Sequence, residues 1–328
     1  MTVLLIATGG TIASRVQPDG GVAVAMTGRE LLGTVDGLDI ADVDVVDLFQ
    51  GPSWSLDLDA MCTIAVRARD AAASGSSVVI THGTDTLEET AYLADLVAGE
   101  ATDHAPIVVT GSMRNAGEAG GDGPQNLRDA FAVARSPDVI GGRGVLVVAA
   151  GGVHAARWVT KTDAQAVDTF QSPGHGPVGH VDEGGVNFDG APGRGPSAPV
   201  GRANVVEGPI AVVPSYGDAD PELIDWHLDR GVRGIVIEGT GAGNVNGALV
   251  AGIESARDRG VPVVITSRCI TGSVAPIYGG PGGGHSIEAL EVIRGGDLSA
   301  RKARLALAVG LALAPDIALR DWFTSVVG

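Results

Sequence analysis

Positive charge and sulfur are both scarce in this 328-residue chain. Lysine and arginine total 22 against 39 aspartates and glutamates, a net charge of −17, which argues against a nucleic acid or an anionic membrane surface as the main partner. Only two of the cations are lysines, Lys161 and Lys302, so each invites a reason for being there. The two cysteines, Cys62 and Cys269, cannot build a disulfide framework or a four-cysteine zinc site. With no histidine beside either in metal-ligand spacing, both are expected as buried, reduced thiols. No run of 18 apolar residues is free of charge or glycine, which excludes a helical membrane span. The opening MTVLLIATGG has no basic segment and an apolar run only as long as a strand, so it does not read as a signal peptide, and a cytoplasmic location is expected. Hydrophobic residues at 45% and charged ones at 19% rule out general disorder.

Glycine is abundant instead, with 50 residues, about twice the usual share. They are scattered rather than periodic, which rejects a collagen-like or simple linker reading and leaves many tight turns and close backbone approaches. The length predicts two domains. Short β-branched runs at 3–8, 45–49, 78–81, 107–110 and 144–150 read as buried strands, and amphipathic stretches at 58–73, 87–98 and 124–134 read as helices. Such alternation implies βαβ crossovers and a mostly parallel sheet covered on both faces. The stretch 183–208 carries seven glycines and three prolines with little periodicity. It sets the expected division: a larger N-terminal doubly wound α/β domain over 1–183, a linker over 184–208 and a smaller C-terminal α/β domain over 209–328. In the C-terminal part, strands are predicted at 209–214, 234–238 and 261–267, and helices at 221–230, 246–259, 287–294 and 299–313.

Ligands of open α/β sheets bind beyond the carboxyl ends of the strands, which directs attention to the polar residues there. Four ends stand out: Thr8-Gly9-Gly10-Thr11, Thr81-His82-Gly83-Thr84-Asp85-Thr86, Thr110-Gly111-Ser112-Met113-Arg114, and Glu238-Gly239-Thr240-Gly241-Ala242-Gly243-Asn244. Phosphate binding fits poorly, because neither the P-loop spacing nor the dinucleotide fingerprint follows the first strand. The nearest remnant is Gly239-x-Gly241-x-Gly243, with Arg268 after the next strand as a possible partner for a 2′-phosphate. Nucleophilic catalysis fits better: Thr11, Thr84 and Asp85 would converge on one crevice, and Lys161 could return to it as the base that a threonine hydroxyl needs. Each residue also has a plain structural reading. Thr11, Thr84 and Asp85 could cap helices, Ser53 and Asn244 could serve turns, Lys161 could be a solvated charge, and His82 a hydrogen-bonded core imidazole.

The segments Ala7-Thr8-Gly9-Gly10-Thr11-Ile12-Ala13-Ser14 and Thr81-His82-Gly83-Thr84-Asp85-Thr86-Leu87-Glu88-Glu89-Thr90 resemble the two signature motifs of bacterial-type L-asparaginases. The similarity continues in order through Thr110–Arg114, Asp122-Gly123-Pro124-Gln125-Asn126-Leu127, Val159-Thr160-Lys161-Thr162, Gly241–Asn244 and Ser267-Arg268. The resemblance implies a large N-terminal and a smaller C-terminal α/β domain, assembled as a homodimer or homotetramer. It also implies hydrolysis of the side-chain amide of asparagine through a threonine acyl-enzyme, without metal or cofactor. Carried onto this chain, Thr11 is the nucleophile, while Thr84, Asp85 and Lys161 form a second catalytic cluster with Lys161 as a neutral base. Asp85 would also hold the substrate's α-ammonium and Ser53 its α-carboxylate, and Asn244 would approach a neighbouring subunit's site.

The family usually carries a tyrosine on a mobile lid between the residues matching Arg15 and Glu30. Here that stretch is VQPDGGVAVAMTGR, and the chain's three tyrosines, Tyr92, Tyr216 and Tyr278, lie elsewhere. Tyr278, on a Gly-rich loop, is the replacement that family position suggests. The matching loop at 271–286 also lacks the acidic residue that extracellular relatives place near the substrate amine. Two other functions remain in view: an amidohydrolase with glutamine or another amide as its main substrate, and a non-catalytic amino-acid sensor that retains the fold.

Overall fold

All seven positions of the first strand, β1 (Val3–Gly9), are buried, as a central strand with helices on both faces requires. The computed structural model describes residues 2–139, 142–189, 206–314 and 316–327, in two units, Met1–Gly201 and Arg202–Gly328. In the first unit β1 is followed by a hairpin of β2 (Ser14–Val16) and β3 (Val22–Val24), then α1 (Gly28–Leu32), β4 (Val43–Gly51), α2 (Leu58–Ala73), β5 (Ser77–Thr81), α3 (Leu87–Ala98), β6 (Ile107–Thr110), α4 (Gly123–Arg135) and β7 (Leu146–Ala149). The chain then turns back through β8 (Gly152–Ala155), the short pair β9 (Thr160–Lys161) and β10 (Phe170–Gln171), and the pair β11 (Gly179–Asp182) and β12 (Gly185–Phe188).

Eight of these strands form one sheet in the order β12-β11-β8-β7-β6-β5-β1-β4. The five from β4 to β7 are parallel, and β8, β11 and β12 add an antiparallel edge. Side chains alternate between the faces. Val3, Leu5, Val79, Val108, Leu146 and Val148 meet Leu127 and Phe131 of α4 on one face, and α2 and α3 pack over the other. A fully buried side chain such as Phe131 contributes roughly 1.5–3 kcal/mol. Local signals fix the helix starts: Asp57 accepts from Ala60 N at α2, and Thr27 and Glu30 form a reciprocal cap at α1.

The strand order puts β1 between β4 and β5, so the chain leaves β1 on one side and returns on the other. The carboxyl ends of β1 and β5 therefore flank the switch point, where an open α/β sheet has its ligand crevice.

The second unit contains β13 (Ile210–Pro214), α5 (Leu223–Leu228), β14 (Gly234–Gly239), α6 (Val250–Asp258), β15 (Val263–Ser267), α7 (Gly284–Ile287), β16 (Ile293–Arg294), α8 (Ala300–Leu313) and α9 (Leu319–Val327). Its four strands are parallel and adjacent in sequence order. Ile235, Ile237, Ile253 and Ile265 lie in its core. Helix α9, absent from the sequence reading, docks on α8 where Gly310 leaves room for Trp322, whose Nε1 donates to Ala306 O at 2.8 Å.

Three expectations change. The helix expected over 287–294 is instead the single turn α7, a 3-10 turn (Glu288–Leu290) and strand β16; Glu291 at φ 61° leaves the helical region and sends the chain into the sheet. Cys62 is buried, but Cys269 is exposed, because it follows β15 on a surface loop rather than lying in a strand. Within the stretch read as a linker, 185–188 form β12 of the large sheet, while 190–205 lie outside the described residues.

Candidate active site

The turns after β1 and β5 touch backbone to backbone. A Cβ on Gly10 would lie 2.3 Å from Gly83 Cα, and Gly10 has φ +80°, so a side chain there meets both a clash and a strained conformation. Gly83 in turn passes under Ser53, whose Cβ would be 2.8 Å from a side chain at 83. The glycines of both motifs thus let three strand ends, those of β1, β4 and β5, converge within van der Waals contact.

Thr11 begins a 3-10 turn (Thr11–Ala13) whose cap residue is Gly10, with no side-chain cap bond. The capping explanation therefore fails for Thr11. Its hydroxyl meets no hydrogen-bond partner among the described residues, and it faces a cavity of about 480 Å³. Thr84, Asp85 and Ser53 line the same cavity, together with Ser14, Gln50, Trp54 and the hairpin residues Val22, Ala23 and Val24. The stretch that carries no tyrosine is this β2–β3 hairpin, and it gives the cavity an apolar wall. Ser14 Oγ is already engaged, donating to Gly10 O at 2.8 Å.

Thr84 has the opposite surroundings. It is only 5% exposed, and its hydroxyl accepts from Lys161 Nζ at 3.0 Å. The same Nζ lies 2.7 Å from Asp85 Oδ1, so Lys161 is not a free surface charge. Lys161 returns to the crevice because the chain reverses at Ala149–Gly152 and runs back through β8 into β9. Beneath it sits Glu88, 2% exposed, whose Oε2 accepts from Thr160 Oγ1 and from Lys161 N, each at 2.6 Å.

His82 is fully buried and bonded at both nitrogens, with Gly83 O at 2.7 Å from Nδ1 and Thr90 Oγ1 at 2.8 Å from Nε2. A carbonyl can only accept, so Nδ1 carries the proton and Nε2 accepts from Thr90, which is the arrangement of a neutral ring. Burial pushes its pKa down to about 4, against a smaller opposing effect of the Gly83 bond. The core-imidazole reading holds for His82, and through it α3 pins the turn that carries Thr84.

Ser53 is buried and serves the start of α3: it accepts from Thr86 N at 3.4 Å, and its carbonyl accepts from Thr86 Oγ1 at 2.9 Å. The motif around Asp122 also has a structural role. Its carboxylate accepts from Met113 N and Arg114 N, while Asn126 donates to Gly111 O and accepts from Ala150 N. These bonds lock the ends of β6 and β7 beside the crevice. In the second unit, Asn244 Oδ1 accepts from Gly284 N at 3.0 Å, a turn-stapling bond, and Tyr278 is 57% exposed. Among the described residues no cluster of His, Cys, Asp and Glu is arranged to hold a metal ion, and no helix is long and apolar enough to cross a membrane.

Sequence reasoning did not single out Glu88, Thr160, Ser14, Gln50, Trp54 or the hairpin valines as site residues. Glu88 reads as an ordinary acid in the first turn of a helix, and the hairpin has no periodicity long enough to reveal a strand.

Fold and cavity together define a two-domain α/β protein whose crevice sets two threonine hydroxyls, one of them beside an amine and a carboxylate, at a topological switch point. The chain belongs to the asparaginase family: residues 2–194 match the asparaginase N-terminal domain and residues 209–323 the glutaminase/asparaginase C-terminal domain. It is 37% identical to an L-asparaginase of Bacillus licheniformis, over 94% of this chain and 95% of that protein. A probable L-asparaginase of Deinococcus radiodurans is also 37% identical, over 94% and 92% of the two chains. A probable periplasmic L-asparaginase of Haemophilus influenzae is 34% identical, over 82% and 78%.

Proposed function

We propose that this protein is an amidohydrolase that converts L-asparagine to L-aspartate and ammonia through an acyl-enzyme on Thr11. The observation that carries this reading is the unpartnered Thr11 hydroxyl in one cavity with the Thr84–Lys161–Asp85 cluster. Thr11 Oγ attacks the amide carbon, the C–N bond breaks, and the amide nitrogen leaves as ammonia after taking up the hydroxyl proton. Water then attacks the Thr11 ester; its proton returns to Oγ, and aspartate is released. Lys161, as a neutral amine, presents its lone pair to the Thr84 hydroxyl at the same 3.0 Å separation and makes that oxygen a base for the attacking group. A zwitterionic substrate needs a carboxylate for its amine and donors for its acid, roles that fall to Asp85 and to the Ser53 turn.

Assembly as a homodimer or homotetramer belongs to the same proposal. Ile270, Ile277 and Tyr278 expose apolar surface on neighbouring loops of the second unit, a feature that suits burial against another copy. Asn244 and Tyr278 would then complete a neighbour's cavity, with the Tyr278 phenol orienting Thr11 where relatives use a lid tyrosine. Two unpaired cysteines, one exposed, favour a reducing, cytoplasmic compartment.

The test is ammonia release from asparagine and glutamine, measured side by side on purified protein and on Thr11→Ala. Asparagine turnover that disappears in the variant supports the reading. Faster turnover of glutamine reassigns the substrate, and no turnover of either amide by folded protein leaves a binding function.

A further inference from the structure

Glu88 is a buried carboxylate that the reaction scheme does not use. It sits in the first turn of α3, three residues after Asp85, and is 2% exposed. A charge so far from water costs several kcal/mol unless hydrogen bonds satisfy it, so its partners show what it is for. One oxygen, Oε2, takes both the Thr160 hydroxyl and the Lys161 amide N–H, each at the short 2.6 Å distance of a charge-assisted bond. These donors belong to β9, a two-residue strand paired on its other side with the equally short β10. Such a short ladder supplies little rigidity of its own.

We propose that Glu88 is the positioning residue for Lys161: it fixes the main chain of β9 against α3, so that the lysine amine arrives at the Thr84 hydroxyl with its lone pair aimed at Oγ1. This inference rests on the reading of Lys161 as the base for Thr84. The geometry favours it because the anchor and the target lie on one rigid element. Glu88 holds the Lys161 backbone from the first turn of α3, while Thr84 and Asp85, which meet the amine, form the turn leading into that helix. Helix and strand are thereby clamped at two points, one at the backbone and one at the tip of the lysine. A long flexible side chain tethered only at its tip samples many rotamers; fixing its base removes much of that freedom, and a displacement of about 1 Å at a reacting group can cost on the order of 10²-fold in rate.

The test is a double-mutant cycle with L-asparagine turnover and L-aspartate binding as readouts. Glu88→Ala should lower kcat by ~30-fold or more while the aspartate Kd changes less than ~3-fold, because the groups that bind substrate are untouched. Glu88→Gln keeps an oxygen able to accept both bonds and should recover kcat to within ~5-fold of the parent. In a Lys161→Met background, adding Glu88→Ala should cost almost nothing further, since a residue that acts only through the lysine has nothing left to position. Should Glu88→Ala fail to fold, Thr160→Val, which removes one of the two bonds with little change in shape, should lower kcat by ~5-fold with unchanged aspartate binding. The proposal is overturned if Glu88→Ala or Thr160→Val retains parental kcat. It is equally overturned if the losses multiply in the Lys161→Met background, or if aspartate binding falls in step with kcat. A fully active Lys161→Met enzyme is a separate result: it removes Lys161 from the chemistry, whatever Glu88 does.

Discussion

The two threonine turns at the centre of the sheet are alike in sequence and in place, yet the structure gives them opposite surroundings. Both follow a parallel strand, both carry glycine ahead of the hydroxyl, and the two meet at Gly10 and Gly83. The Thr11 hydroxyl has no partner among the described residues and lies beside an apolar hairpin. Thr84 is buried and bonded to Lys161, and its turn is braced by His82 and α3. Similar motifs therefore separate two demands on one site. In the proposed mechanism the first hydroxyl, which would form and break a covalent bond, must be free to move, while the second, which would relay a proton, must be held.

The strongest way to break the comparison is to force the turns apart. Gly10→Ala places a methyl group 2.3 Å from Gly83 Cα at a positive φ, so we expect it to abolish turnover and to lower stability by at least about 2 kcal/mol, as read by kcat and urea unfolding. Thr11→Ala and Thr84→Ala should each cost ~10³-fold or more in kcat but differ in stability. Thr11→Ala breaks no hydrogen bond among the described residues, whereas Thr84→Ala takes one of two partners from the half-buried Lys161 amine and should cost about 1 kcal/mol. Equal thermal midpoints for the two variants would erase the distinction. Lys161→Met should lose ~10²- to 10⁴-fold in kcat, the range of acid–base effects, and still bind aspartate in calorimetry. If Asp85 holds the substrate amine as proposed, Asp85→Asn should act mainly on KM, raising it by on the order of 10- to 10²-fold through the lost charge-assisted contact.

The effect expected in acid is on stability rather than on turnover, and the His82 share of it tests the bracing of the second turn. His82 and, on β8, His154 are both held neutral by burial, each with a pKa lowered to about 4. In the unfolded chain they titrate near 6.5. Between those values the unfolded state binds protons that the folded state refuses, so stability falls as pH drops from 6.5 towards 4 and levels off below. From pH 6.5 to 5 the loss should be roughly 1.5 kcal/mol per histidine. Urea midpoints measured across this window should show it, and His82→Gln should flatten about half of the slope.

Much of this arrangement was legible before the fold was known, for identifiable reasons. Helices 58–73 and 87–98 coincide with their predicted limits because their apolar spacing is long and regular, and the latter meets a glycine at its end. The threonine turns were visible because the strands before them are short, apolar and followed at once by glycine. The antiparallel edge was not, because β8, β11 and β12 are four residues each and separated by turns rather than helices. The false helix at 287–294 had convincing apolar spacing at Ile287, Leu290 and Ile293, yet pairing of Ile293 and Arg294 with β15 prevailed over it. Glu88 escaped notice because its partners, Thr160 and Lys161, are more than 70 residues away, a distance that local pattern cannot bridge.

Trp54 stands 71% exposed on the rim of the 480 Å³ cavity, while Trp158 stacks on His175, Trp226 lies against Arg230 and Trp322, on α9, is buried against α8. Of the four indoles, Trp54 alone among the described residues has its surroundings changed directly when the cavity fills. Water leaving its ring shifts emission to shorter wavelength, so the protein carries an intrinsic optical gauge of occupancy. A titration followed at that single chromophore, with Trp54→Phe as the dark control, would report ligand arrival in variants too slow to be followed by ammonia release.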